Sequence, residues 1–180
     1  MASVLLHPAD PSWVPADNPP LIETLQESGF IGSVLPERYQ KGYYTGSSFI
    51  SQINFLGCAP NIQLIPDEKS VDGEFCAIRF HCHDSPVFMH TTSQLPMPRC
   101  PDCRARFSSL PDMSNPDVAV PCLKCQRHTP VHSLVWRQMA GYARFFVEVT
   151  GVYPQEALPT PGLLKTLTTL SNCDWRYFYR

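Results

Sequence analysis

The sequence predicts an α+β domain with a mixed or antiparallel sheet, two main helices and an inserted cysteine-bearing segment. Three patterns lead to this prediction. Apolar and polar residues alternate over 143–152, as they do in a strand. Leucines recur at helical spacing over 163–170. Four cysteines form two C-x-x-C pairs within a proline-rich segment, residues 96–130, whose prolines prevent long regular structure.

The composition is that of a globular protein. Of the 180 residues, 43% are apolar, 17% are charged and 11% are aromatic, which argues against disorder, collagen-like repeats and coiled coil. No apolar run approaches the roughly 18 residues that a membrane helix needs. No basic region followed by an apolar run marks a signal peptide. We therefore expect a cytoplasmic protein without a membrane partner.

The first predicted elements lie in the N-terminal half. Residues 1–20 contain five prolines and predict an extended arm, followed by a single α+β domain over residues 21–180. Asn18 and the two prolines after it begin a short helix, which Gly29 ends. Strands are predicted over residues 49–56, 61–65, 75–82 and 86–92.

The C-terminal part carries clearer patterns. The alternation over Ala143–Val152 predicts a strand. A second helix is predicted over 161–170, because four leucines share one stripe and Thr160-Pro161 provides a helix start. Residues 174–179 predict a final strand, whose aromatic side chains close the core. Together these elements complete the predicted domain.

The cysteines give the strongest functional signal. Cys100 and Cys103 form one C-x-x-C pair, Cys122 and Cys125 form the other, and 18 residues separate the pairs. Each C-x-x-C turn directs two thiolates to one point, so two turns supply the four soft ligands of tetrahedral zinc. Four thiolates close the coordination shell and leave no place for an activated water. The sequence therefore predicts one structural Zn²⁺.

This segment resembles the zinc ribbons over residues 98–127. All four cysteines match the ligand positions of that motif, and Pro101 after the first cysteine is typical of its turns. Arg104 and Gln126 stand where zinc-ribbon turns often carry glycine. The resemblance implies a zinc-ribbon insert within the α+β domain at about residues 96–130.

Charge is distributed unevenly along the chain. Residues 1–98 carry 4 basic and 10 acidic side chains, a net −6, whereas residues 99–144 carry 7 and 3, a net +4. A basic segment of this kind can face an acidic protein surface or nucleic acid. The candidate partner-binding residues are Arg99, Arg104, Arg106, Lys124 and Arg127.

These observations favour a non-catalytic zinc-binding adaptor or assembly protein, whose rigid ribbon presents a surface to a protein partner. Two alternatives stay open. The basic segment indicates nucleic-acid binding, although the overall pI of about 6.3 opposes it. The second alternative is an enzyme that uses either Cys58, which follows a predicted strand, or the pair His81 and His83. No phosphate loop, dinucleotide fingerprint or Ser-His-Asp pattern indicates a reaction. The sequence specifies neither the partner nor the oligomeric state.

Overall fold

The computed structural model describes residues 2–16, 18–56, 62–91, 95, 97–153 and 156–180. Within these ranges the chain forms three α-helices and ten strands. The helices are α1 (Asn18–Glu27), α2 (Phe49–Gln52) and α3 (Pro161–Ser171). The strands are β1 (Ala2–Pro8), β2 (Ile31–Val34), β3 (Tyr43–Thr45), β4 (Ile53–Phe55), β5 (Ala77–His90), β6 (Ala119–Pro121), β7 (His128–Pro130), β8 (Ala140–Val152), β9 (Ala157–Pro159) and β10 (Trp175–Tyr179).

Six strands form one sheet in the order β10-β1-β8-β5-β3-β2, and every neighbouring pair in it is antiparallel. Two further antiparallel pairs join β4 to β9 and β6 to β7. The predicted α+β class, with an antiparallel sheet and helices near both predicted positions, is confirmed.

The two longer helices pack on one face of the sheet. Leu21 and Leu25 of α1 are buried in the same cluster as Leu163 and Leu167 of α3. The sheet contributes strand side chains such as Val147 to that cluster. The leucines of each helix lie four residues apart and therefore face the same side, which is why a short amphipathic segment is stable here.

The sequence contains recognisable start and stop signals for helix α3. The Thr160 Oγ1 accepts a hydrogen bond from the Leu163 amide at 3.2 Å, so Thr160 caps the first turn. Pro161 occupies the first turn, where a missing amide hydrogen costs nothing. The helix ends at Asn172, which adopts the left-handed conformation with φ of 53°.

The N-terminal segment differs from the predicted arm. Ala2–Pro8 is an inner strand of the sheet, paired with β10 on one side and β8 on the other. Val4, Leu5 and Leu6 are all fully buried. A strand that is buried on both faces has no apolar–polar alternation, so its sequence does not show the pattern that identifies half-buried strands.

Of the strands predicted in the first half, one is confirmed only in part and another is wrong. Phe49–Gln52 is the helical turn α2, and only Ile53–Phe55 is a strand. Phe49 and Ile53 are both buried in the core, and their four-residue spacing is that of one helical turn. The described part of 61–65 contains no strand, and Ile65 is 80% exposed.

The two strands predicted over 75–82 and 86–92 are one long strand, β5. Its pairing with β8 shifts register between Cys82 and Val87. On the other side, β3 pairs only with Ala77 and Ile78. Pro86 therefore lies where the pairing of β5 with β8 is irregular and beyond the residues of β5 that pair with β3. A proline is tolerated at such a position, because no ladder hydrogen bond needs its missing amide hydrogen.

The cysteine-bearing segment lies between β5 and β8. We call its described residues 97–139 the insert. A second apolar cluster, separate from the main core, joins the insert to the tips of these two strands. In it Leu134 and Trp136 of the insert are buried with Tyr142 of β8, and Phe88 of β5 packs against them. The long β5–β8 pair therefore carries the insert at one end of the sheet.

Candidate metal centre

The first C-x-x-C turn is closed by two backbone hydrogen bonds. The Cys100 amide donates to the Ala105 carbonyl at 2.9 Å, and the Arg104 amide donates to the Cys100 carbonyl at 3.1 Å. Arg99 and Arg106 flank this turn and form an antiparallel β-bridge with each other. Arg99 forms a second antiparallel bridge with Val135. The turn is therefore the tip of a tight hairpin.

The second turn repeats the first. The Cys122 amide donates to the Arg127 carbonyl at 2.8 Å, and the Gln126 amide donates to the Cys122 carbonyl at 2.8 Å. Strands β6 and β7 flank it as the two arms of a hairpin. The residue after the second cysteine of each pair is left-handed, with φ of 60° at Arg104 and 62° at Gln126. These are the two positions where the sequence lacks the expected glycine.

The two turns face each other and bring four sulfur atoms together. The Sγ atoms of Cys100, Cys103, Cys122 and Cys125 all lie within 4.8 Å of one another. The shortest contacts cross between turns: Cys100 Sγ to Cys125 Sγ is 3.7 Å, and Cys103 Sγ to Cys122 Sγ is 3.6 Å. Cys100 and Cys122 are buried and the other two are half-buried. The four thiols form a cluster that can hold a metal ion.

Backbone amides donate hydrogen bonds to two of the four sulfurs. Hydrogen bonds from the amides of Cys125 and Lys124 to the Cys122 sulfur lower the pKa of that thiol to about 6. The Arg127 amide acts to lower the pKa of Cys125, but desolvation and the neighbouring thiols outweigh it and raise that pKa to about 12. The pKa values of Cys122 and Cys125 therefore differ widely. A bound cation would favour the thiolate form of all four cysteines.

An ion pair links the two turns outside the sulfur cluster. The Arg127 Nη1 donates to the Asp102 Oδ1 at 2.8 Å. Both side chains are exposed, so the pair contributes little by itself to stability. It nevertheless connects the first turn to the second on the solvent side. Nothing in the sequence distinguishes this contact from the other charges of the segment.

The predicted partner-binding residues line different features of the insert. Arg104 lines a groove between the insert and β10. Arg106 and Lys124 line a smaller cavity of about 130 Å³ beside Cys122. Arg127 is held by Asp102. The fifth, Arg99, is half-buried at the base of the first turn.

The enzyme alternative rests on Cys58, His81 and His83. Cys58 falls outside the described residues. His81 Nε2 is 2.8 Å from Glu148 Oε2, and the pKa of Glu148 is lowered, because hydrogen bonds from His81 and Ser3 outweigh its desolvation. The neighbouring His83 does not join this pair; its Nε2 is buried without a hydrogen-bond partner among the described residues. Neither histidine lies in the cysteine cluster.

A groove that the sequence did not reveal runs between the insert and the edge of the sheet. We call it the edge groove; its volume is about 470 Å³. Its walls include Arg104, Trp136 and Arg137 of the insert and Trp175, Arg176 and Tyr177 of β10. Because these residues come from separate segments, only the folded chain brings them together. The sequence contains Arg137 and Arg176 but no pattern that joins them.

Comparison of the chain with protein-family models, curated proteins and solved structures found no match in any of the three. In the part of the chain that the structure describes, no helix has the length and apolar character needed to cross a membrane. The cysteine cluster and the fold therefore carry the functional argument.

Proposed function

We propose that the chain is a zinc-binding adaptor or assembly protein, in which one structural zinc fixes the insert as a ribbon that presents a surface to a protein partner. The sulfur geometry carries this proposal. A Zn–S bond is about 2.3 Å, which places sulfurs at neighbouring corners of a tetrahedron about 3.8 Å apart. The cross-turn distances of 3.7 and 3.6 Å agree with that spacing.

The ligand set supports a structural role for the metal. Four thiolates fill the tetrahedral shell, whereas catalytic zinc keeps a position open for water or substrate. The paired hairpin turns, with the same two backbone hydrogen bonds in each, support a ribbon-like insert of the kind that the sequence suggests. A metal bound across both turns would hold together a segment whose own apolar cluster is small.

Zinc is preferred to iron for this site. A tetrahedral set of four sulfurs suits both metals, but divalent zinc binds such ligands more tightly than ferrous iron does. The proposal also places the chain in a reducing compartment such as the cytoplasm. Its support is that the seven cysteines among the described residues are free thiols.

Metal analysis of the purified chain tests the zinc proposal. We expect one zinc per chain in protein prepared without added metal. Cys103→Ser should lose zinc and lower the melting temperature, because removal of one thiolate opens the shell and weakens the coupling of metal to folding. Cys82→Ser is the matched control, since Cys82 is exposed and lies outside the cluster.

Two results would contradict the proposal. Purified chain with no metal, or with iron and a visible iron–sulfur spectrum, would refute structural zinc. A zinc-dependent hydrolytic activity that Cys103→Ser abolishes without local unfolding would refute the non-catalytic role.

A further inference from the structure

The edge groove borders a strand whose outer edge pairs with no further strand. β10 is the last strand of the six-stranded sheet, and Tyr177 and Trp175 line the groove. In an antiparallel pair, alternate residues direct their amide and carbonyl groups to the partner strand, and the residues between them direct theirs away. The pairing of β10 with β1 therefore decides which groups face the groove.

Backbone contacts fix this alternation. Ser3 and Arg180 exchange two hydrogen bonds, at 2.8 and 2.9 Å. The register then places Phe178 and Arg176 in bonded pairs with β1, so the amide and carbonyl groups of Trp175, Tyr177 and Tyr179 point outward. The Tyr179 amide donates to the Gln138 carbonyl at 3.1 Å.

The outward groups of Trp175 and Tyr177 have no such partner. Among the described residues, no hydrogen bond joins the outward amides and carbonyls of these two residues to another group. Trp136 also lines the groove, and its indole N–H is buried without a hydrogen-bond partner in the described part of the chain. The part of β10 that borders the groove therefore carries unpaired backbone groups at two residues.

Charge in the groove has one sign. Arg104, Arg137 and Arg176 are exposed and line it, and no aspartate or glutamate lies among its lining residues. The floor between them includes Trp136 and Trp175, which are apolar and aromatic. An occupant that complements these walls is anionic and has an apolar side.

The turn that carries Arg137 is costly to form. Arg137 and Gln138 are both left-handed, with φ of 55° and 60°, and the Met139 amide closes the turn on the Trp136 carbonyl at 3.1 Å. Asparagine and glycine are the residues that favour such turns. Arg137 therefore stands at a position where its backbone conformation carries an energetic cost.

We propose that the edge groove binds an extended acidic peptide of a partner protein, which adds as a further strand to the open edge of β10. The peptide backbone pairs with Trp175 and Tyr177, and its acidic side chains meet the three arginines, as in other strand-addition complexes. This inference rests on the proposed function, because it names the chemistry of the partner. A second copy of the chain is a poorer occupant, since two arginine-lined edges that face each other would repel.

Binding of a synthetic peptide to the zinc-loaded full chain tests the inference. The probe is a fluorescently labelled peptide in which valine and glutamate alternate, measured by anisotropy. We expect it to bind about tenfold or more tightly than the same peptide with lysine in place of glutamate. Methylation of alternate backbone nitrogens should abolish binding, because it removes the donors that pair with the strand edge.

Two sets of variants locate the site. The double variant Arg104→Glu/Arg137→Glu should weaken binding by about tenfold or more. The double variant Lys41→Glu/Lys165→Glu makes the same change in net charge at exposed positions outside the groove, and should bind normally. Tyr177→Pro removes an outward amide without removing a bond to β1. It should bind more weakly than Tyr177→Ala, which keeps that amide.

The outcomes separate this inference from the proposed function. Failure of the acidic peptide to bind folded, zinc-loaded chain would overturn the inference and leave the zinc site intact. Equal binding by the lysine peptide, or by the two double variants, would overturn it as well. A self-associated chain that Tyr177→Pro converts to monomer would assign the edge to a second copy. Tight binding of single-stranded oligonucleotide in place of peptide would assign the groove to nucleic acid.

Discussion

At two positions the turns of the metal centre carry side chains where glycine is favoured. Arg104 and Gln126 hold φ of 60° and 62°, which an L-residue adopts at a cost. Gln126 offsets part of this cost, because its Nε2 donates to the Leu123 carbonyl at 3.0 Å. The bond is exposed, so its net contribution is small. The side chain at each position therefore lowers the stability of the turn.

We expect Gln126→Gly to increase the free energy of unfolding by at most about 1 kcal/mol, since glycine relieves the backbone but gains entropy in the unfolded chain. Denaturant titration of the metal-loaded protein measures the change. Gln126→Ala keeps the β-carbon and loses the hydrogen bond, so it should be less stable than the parent chain. A glycine variant less stable than the parent would show that the Leu123 contact dominates.

A buried histidine makes the fold sensitive to acid. His7 is 5% exposed, and burial lowers its pKa to about 4 from 6.5. Its Nδ1 donates to the Pro8 carbonyl at 2.9 Å, which suits a neutral ring. Between these two pH values the unfolded chain binds a proton that the folded chain does not. Stability contributed by the neutral ring is present above pH 6.5 and is lost as the pH falls towards 4.

The His7→Gln variant isolates this effect. Between pH 6.5 and about 4, the unfolding free energy of the parent should fall more steeply than that of His7→Gln, by up to about 1.4 kcal/mol per pH unit. Denaturant titrations at several pH values measure both slopes. Other acid-sensitive groups, such as the thiolates, are present in both proteins and cancel in the difference. Parallel slopes would contradict a neutral buried imidazole.

At the scale of elements, β10 has two roles. Its inner edge completes the pairing of β1, and its outer edge borders the edge groove. Phe178 is fully buried and packs with Leu5 and Phe146 on the sheet face opposite the two longer helices. The strand is therefore part of the core as well as a candidate interface.

We expect Phe178→Ala to lower the free energy of unfolding by about 3–5 kcal/mol, because a large buried ring is replaced by a cavity. Arg176→Ala on the same strand is exposed and should change stability by no more than about 0.5 kcal/mol. Thermal and denaturant unfolding measure both. Deletion of 174–180 should unfold the domain, since it removes Trp175 and Phe178 from two clusters. A truncated chain that melts like the parent would contradict a structural role for β10.

At the scale of the whole molecule, the main apolar cluster and the cluster of the insert are separate. The main cluster joins the sheet to α1 and α3, and the smaller one joins the insert to the tips of β5 and β8. The four cysteines of the candidate metal centre belong to neither cluster. Their turns rest on the smaller cluster through hairpins of a few residues each.

Removal of the metal by a chelator should therefore loosen the insert and leave the sheet folded. Hydrogen exchange is the measurement: amides of the two turns, such as those of Arg104 and Gln126, should lose protection, whereas amides of β1 and β8 should keep it. Cys103→Ser should reproduce the pattern. Loss of protection throughout β8 would show that the metal supports the entire fold.

The parts of the structure that local rules govern were predictable. The sequence of α3 contains its cap, its proline and its leucine stripe, and the two C-x-x-C pairs predict the cluster of four thiols. The sequence does not identify β1 as a strand, because a strand buried on both faces has no alternation that separates it from other apolar runs. The edge groove was missed because its arginines come from the insert and from β10, and only tertiary packing joins them.

The position of β1 has a consequence for the order in which the chain folds. Val4 pairs with Val149 on one side and with Tyr179 on the other, so both neighbours are synthesised long after it. Pairings between residues so distant in sequence are slow to form. During translation the apolar run Val4–Leu6 has neither strand to pair with, and unpaired apolar strands promote aggregation. Nascent chains that stop before β8 should therefore depend on chaperones that hold them, and refolding from denaturant should be slow and sensitive to protein concentration.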